Sequence, residues 1–275
     1  MIGAIIGDVV GSIYEFHNYK KKDFQLFDPR CDVTDDSLMT IAVAMALIAR
    51  EPEKPKEDFQ MYLMRYMRAI ARQYPSPMGG YGGGFYHWLF SEHPVPYNSF
   101  GNGSAMRVSA VGDYAMDLDE ALELAKQTAE ITHNHPEGIK GAQATAAAIY
   151  MAKTGSTMDE IKRYITDKFG YNLDRKLKDV RRLYGTHPIT CQDTVPEAII
   201  AFLESVSFED AIRNAVSLGG DSDTLTDITG AIAWAYYGKN GLDDDMKQIA
   251  EKVYEYIPER FHKLIRIWEK EFGVH

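Results

Sequence analysis

Apolar residues recur at helical spacing along most of this chain. The pattern is carried by "DDSLMTIAVAMALIAR" (35–50), "DFQMYLMRYMRAIARQY" (58–74), "LDEALELAKQTAEIT" (118–132) and "EGIKGAQATAAAIYMAKTG" (137–155). It continues in "TVPEAIIAFLESV" (194–206), "FEDAIRNAVSL" (208–218) and "LTDITGAIAWAYYG" (225–238). Polar residues fill the intervening positions, so these segments are predicted as helices. Several starts carry a hydroxyl residue three positions before an acid: Thr157 before Glu160, Thr194 before Glu197, Ser207 before Asp210. Such pairs are capping signals. Alanine-rich stretches such as "GAQATAAAIYMA" suit helices packed closely on all sides, and no run of alternation is long enough to make a sheet. The expected fold is all-α, with one domain over 1–275.

Two regions interrupt the helical pattern. "YPSPMGGYGGGFYHW" (74–88) and "YNSFGNGSAMR" (97–107) are rich in Gly, Pro and Asn with interleaved aromatics. They are expected to be loops whose backbone can approach a ligand closely. The charged segment "LDDDMKQIAEKVYEYIPERFHKLIRIWEKEF" reads as a solvated helix pair broken near Pro258.

Charge narrows the function. A formal net charge of −10 opposes phosphate backbones and anionic membranes, so non-specific nucleic-acid binding is disfavoured. A small anionic ligand remains compatible if backbone amides or a metal hold it locally. The segment "MIGAIIGDVVG" is apolar but has no basic leader, is interrupted by Asp8, and is too short and glycine-rich for a signal or membrane helix. A cytoplasmic protein is expected, with Cys31 and Cys191 reduced, since neither has CxxC or zinc-site spacing.

Two acidic clusters carry the candidate chemistry. "DVTDDSLMT" sets Thr34, Asp35 and Asp36 before an apolar helix, and "SLGGDSDTLTD" sets Asp221, Asp223 and Thr224 before another. Each alone reads as an N-cap with acids complementing the helix dipole. Together they hold more carboxylates than caps need. A hard divalent cation accounts for the surplus, because Mg²⁺ or Mn²⁺ takes carboxylate and hydroxyl oxygens and relieves their mutual repulsion. Asp221 and Asp223 diverge on a regular helix and can share a centre only at a bend, which the two preceding glycines permit. Four carboxylates and two hydroxyls exceed what one Mg²⁺ usually takes from protein, so two ions fit better. Glu15, in "GDVVGSIYEFHN", admits two readings, a surface acid at a helix end or a functional one. His133 and His135 in "THNHPEG" lack any zinc pattern and read first as packed or surface residues.

With "GAIIGDVVGSIYEF", "TDDS", "YGGGF", "FGNGSAMR", "THNHPEGIKGA" and "SLGGDSDTLTDITGAIA" in this order, the chain resembles the ADP-ribosylhydrolase (ADP-ribosylglycohydrolase) family, which includes the dinitrogenase reductase-activating glycohydrolases. The resemblance implies an all-α orthogonal bundle with two Mg²⁺ or Mn²⁺ ions at its centre and hydrolysis of the bond between ADP-ribose and an attached group. It implies Thr34, Asp35 and Asp36 as one half of the metal site and Asp221, Asp223 and Thr224 as the other. Glu15 would act near the reacting ribose. Ser99, Gly101 and Asn102 would meet the pyrophosphate, Phe100 would stack on adenine, His133 would line the ribose or adenosine end, and "YGGGF" would border the site. The chain departs from the family pattern in having "TDDS" where "TDDT" is commoner, and Thr226 and Asp227 where small apolar residues are common. "SIYE" and "FGNGSAMR" lean towards the branch acting on O-linked ADP-ribose.

Two rival readings are testable. A prenyl-diphosphate synthase needs DDxxD, and "TDDSLMT" places Leu38 and Met39 there instead. A catalytically silent ADP-ribose-binding module would not require complete acidic clusters.

Overall fold

The computed structural model describes residues 1–185 and 189–274, and helices make up its regular structure. In chain order these are α1 (Ile2–Gly11), α2 (Asp35–Ala49), α3 (Lys56–Gln73), α4 (Gly83–Phe90) and α5 (Gly103–Met106). Then come α6 (Ser109–Tyr114), α7 (Leu118–Glu130), α8 (Pro136–Lys153), α9 (Met158–Phe169) and α10 (Leu177–Leu183). The series ends with α11 (Cys191–Leu203), α12 (Phe208–Val216), α13 (Ser222–Gly238), α14 (Asp244–Val253) and α15 (His262–Phe272). Among the described residues no strand forms, so the all-α expectation holds. Among those residues the bridges are isolated pairs, Thr34 with Met78 and Gly101 with Thr190. No described helix is long and apolar enough to cross a membrane.

α13 is the central element. It packs against α1, α8, α11 and α12, and all but its Tyr236 and Tyr237 are buried. α1, which the periodicity did not single out as a helix, is buried along its whole length. The reason lies in Gly3, Gly7 and Gly11, spaced four apart so that one face carries no side chain. A Cβ on Gly7 would lie 2.0 Å from the Thr226 carbonyl oxygen, and one on Gly3 would lie 2.2 Å from the Trp234 Cβ. Glycine costs about 1 kcal/mol per position in a helix relative to alanine. Here it permits backbone-to-backbone contact that no other residue allows. At the start of α1 the Met1 ammonium is buried between Asp113 and Glu269, joining α1 to α6 and α15.

The capping signals at Thr157 and Ser207 operate as expected. Thr157 and Glu160 form a reciprocal capping box, and the Ser207 side chain accepts from the Asp210 amide. Thr194 is a correction: α11 starts at Cys191, and the Thr194 hydroxyl instead accepts a hydrogen bond from Asn102 Nδ2 at 3.1 Å. The tertiary partner won over the local cap. The two loop regions are also shorter than expected. α4 begins at Gly83 because Phe85, Trp88 and Leu89 can bury on one side, and α5 adds a single turn within "YNSFGNGSAMR". The C-terminal helix pair breaks as expected, with a 3₁₀ turn (Glu259–Phe261) directly after Pro258.

Candidate active site and metal centre

The helix crossing of α1 and α13 brings the two acidic clusters together. Asp8, near the end of α1, is fully buried and serves as an anchor for the loop before α2. It accepts from the Thr34 amide (3.0 Å), the Thr34 hydroxyl (2.7 Å), the Ser37 amide (3.1 Å) and the Ser37 hydroxyl. Thr34 in turn caps α2, its Oγ1 accepting from the Asp36 amide at 3.1 Å. Asp35 and Asp36 are thereby presented at the first turn of α2.

From the other side, Gly219 and Gly220 take φ of +71° and +69°, the left-handed region where glycine is favoured. That bend lets Asp221 and Asp223 face a common centre, as expected from the sequence. Thr224 Oγ1 donates to Asp36 Oδ2 at 2.9 Å, linking the two clusters directly. Asn102 Nδ2 donates to Asp221 Oδ2 at 2.6 Å and so ties the substrate-loop candidate to the same centre.

Carboxylate oxygens of Asp8, Asp36 and Asp223 lie within 4.8 Å of one another, as do those of Glu15, Asp221 and Asp223. This crowding has an electrostatic signature. Burial, reinforced by Asp221 and Asp36, raises the Asp223 carboxyl well above the usual carboxylate range. Burial likewise raises Asp36, with Asp35 and Asp8 adding repulsion, and raises Asp35, with Asp8 and Asp221 adding theirs. Glu15 is pushed up to about 7 by burial and then by Asp221 and Asp8. Asp223 Oδ1 and Glu15 Oε2 are buried with no hydrogen-bond partner among the described residues. Unpaired, mutually repelling oxygen donors at this spacing fit a hard divalent cation, which would supply the missing counter-charge.

Above the carboxylates opens a cleft of about 330 Å³. Glu15, Asp35, Asp36, Asp221, Asp223 and Thr224 line its floor, and Ser99, Gly101, Asn102 and His133 line a wall. The glycine run 79–84 forms another side, as the "YGGGF" expectation has it. Thr34 does not reach the cleft lining, because its hydroxyl is engaged by Asp8 and the Asp36 amide. Phe100 sits outside the lining, 45% exposed, with its ring 5.2 Å from that of His135. Tyr81, Tyr97, Met106 and Ile189 also line the cleft but were not singled out individually from the sequence. Asp8 is the main omission. Its signal was a single carboxylate inside an otherwise apolar, glycine-spaced helix.

Comparison with known proteins places this geometry. A family model described as ADP-ribosylglycohydrolase matches residues 1–272. ADP-ribosylhydrolase ARH3 of Homo sapiens is 25% identical, with 98% of this chain and 93% of the relative covered. The uncharacterized protein YegU of Escherichia coli is 26% identical, covering 85% of this chain and 80% of its own. The solved structure of an ADP-ribosylglycohydrolase-related protein complex shares the fold, with a TM-score of 0.61 at 22% identity over 93% of this chain and 95% of that one. A match that runs from the start of α1 to the end of α15 takes in both carboxylate clusters and the loop between them. The chain belongs to the ADP-ribosylglycohydrolase family.

Proposed function

We propose that the protein hydrolyses the glycosidic bond between ADP-ribose and an attached group, using divalent cations held by Asp35, Asp36, Asp221, Asp223 and Thr224, with Thr34 supporting the first cluster. One observation carries the reading: carboxylates from both ends of the chain converge on the floor of a cleft walled by the Ser99–Asn102 loop and His133. Bound there, Mg²⁺ or Mn²⁺ would supply positive charge and Lewis acidity at a ribose diol. The protein's own residues then do the rest. The loop around Gly101 and Asn102 receives the pyrophosphate, and the acidic floor stabilises positive charge that builds on the ribose ring as the attached group departs. Glu15 is part of that floor and has an unpartnered oxygen, with which it orients or deprotonates water or assists the leaving group.

Of the linkages, an O-linked ADP-ribosyl group is the first candidate, supported by the resemblance of "SIYE" and "FGNGSAMR". The test is an assay of the purified protein with Mg²⁺ or Mn²⁺ against serine-linked and arginine-linked ADP-ribosyl peptides, poly(ADP-ribose) and O-acetyl-ADP-ribose. Release of ADP-ribose from at least one substrate, abolished by EDTA, is expected. Binding of ADP-ribose without turnover would make the protein a silent binding module, and neither binding nor turnover would overturn the reading.

Phe100 offers a second check. If its exposed ring stacks on adenine, Phe100→Ala should weaken ADP-ribose binding by about 1–3 kcal/mol, the range for base–aromatic stacking. Metal-induced thermal stabilisation should be unchanged. An unaltered calorimetric affinity would remove Phe100 from the adenine site.

A further inference from the structure

Arg107 is the last residue of "FGNGSAMR" and is fully buried. Its Nη2 donates to the Thr128 carbonyl oxygen at 2.7 Å and to the Thr132 hydroxyl at 2.8 Å. The same Thr132 oxygen lies 2.7 Å from His133 Nδ1. His133 Nε2, at the far side of the ring, sits against the glycines of the substrate loop. It would be 3.2 Å from a Cβ on Gly103 and 3.6 Å from one on Gly101. The ring therefore lies between a buried guanidinium on one side and the cleft wall on the other.

We propose that Arg107 and Thr132 are positioning residues that hold His133 in one neutral tautomer, with Nδ1 accepting from Thr132 and Nε2–H presented to the cleft. A guanidinium only donates, so Thr132 Oγ1 accepts from Arg107 and still has one proton of its own to place. His133 Nδ1 is its one acceptor among the described contacts. In the opposite tautomer Nδ1–H would also donate to Thr132, and the hydroxyl proton would be buried with no acceptor. Thr132 is 0% exposed, so bulk water cannot relieve it. That penalty favours the Nε2–H form by about tenfold or more.

The doubly protonated ring meets the same obstacle, and a further one. Burial first, then the nearby Arg107 charge, lowers His133 well below its ordinary value. Burial pushes Arg107 itself down to about 10, which leaves it charged near neutral pH. The His133 backbone is also fixed, since its amide donates to the Ala129 carbonyl at 2.7 Å. His133 thus offers the cleft a fixed neutral donor, suited to a phosphate or hydroxyl oxygen of the ligand. This last step rests on the functional reading above.

The test separates the two. Ring-nitrogen NMR of isotope-labelled histidine, assigned with His133→Gln, reads the tautomer in the free protein. Wild type is expected as the Nε2–H form. Thr132→Val, nearly isosteric but without the hydroxyl, is expected to mix the tautomers and weaken ADP-ribose binding about tenfold. Thr132→Ser restores the hydroxyl and should restore both readouts. A wild-type Nδ1–H or doubly protonated ring, or a Thr132→Val protein with unchanged tautomer, overturns the proposal. Failure of wild type to bind ADP-ribose overturns the functional reading instead, while the spectra still decide the relay.

Discussion

Asp223→Asn is expected to lower turnover by more than about 100-fold, beyond the 10–100-fold typical of residues that only support a metal ligand. Asp223 is 4% exposed, has an unpartnered Oδ1, and belongs to both groups of converging carboxylates. Loss of a helix cap cannot produce such an effect. Asn caps about as well as Asp, and the cap position of α13 is Asp221, which makes no side-chain cap bond.

The same substitution replaces a carboxyl that metal-free folding must either bury charged among its neighbours or keep protonated. The metal-free variant should therefore melt higher than wild type, by about 2–4 °C for each kcal/mol gained. pH gives an independent sign. Asp35, Asp36 and Asp223 are raised above their usual range, so the folded protein holds protons that the unfolded chain releases. The cluster's contribution to metal-free stability is therefore full below the ordinary carboxylate value of 3.8 and is lost as pH rises above it towards the raised folded values. Mg²⁺ or Mn²⁺ should reverse that trend in wild type by binding the native state, and Asp223→Asn should blunt the reversal. Equal metal-induced melting shifts in both proteins, with turnover retained, would leave Asp223 a structural residue.

Glu15→Gln is expected to reduce turnover by roughly 10²–10⁴-fold, the usual range for an acid–base residue, with ADP-ribose affinity retained. The geometry motivates both halves. Glu15 lines the cleft and is pushed up to about 7, within reach of a proton-transfer role, yet it makes no hydrogen bond through Oε2 that the substitution would break. Measuring the metal-induced melting shift in the variant divides two cases. A shift that stays intact while turnover falls supports the acid–base role, whereas one lost together with turnover makes Glu15 a cation ligand. Near-normal turnover excludes both.

Much of this was legible in the sequence, for reasons that individual residues make plain. The acidic clusters stood out because four carboxylates before two helices exceed what capping needs, and the structure brings Asp36 and Asp223 together. The helices with full apolar periodicity appeared where expected. α1 was hidden because Gly3, Gly7 and Gly11 lower intrinsic helix propensity, and their justification is a partner more than two hundred positions away. α4 was hidden for a related reason, its first residues continuing a glycine run whose turn chemistry dominates locally. Thr194 was misread because its hydroxyl serves Asn102, 92 positions distant, and nothing local reveals that. Asp8 looked like an interruption of an apolar stretch, although its four acceptor contacts organise the first acidic cluster. Local signals locate elements and charged surpluses, while the identity of a buried polar partner belongs to tertiary structure.

The glycine seam between α1 and α13 also has a bearing on the order of events during synthesis. α1 leaves the ribosome well before α13 exists, and Asp36 waits for Thr224, 188 positions later. Until then an apolar helix surface that is buried throughout in the finished protein has no groove to enter. Unburied apolar surface of this kind is where association between nascent chains begins. The contact that assembles the carboxylate centre is thus among the later ones that the growing chain can make, and the same step covers the glycine face of its first helix.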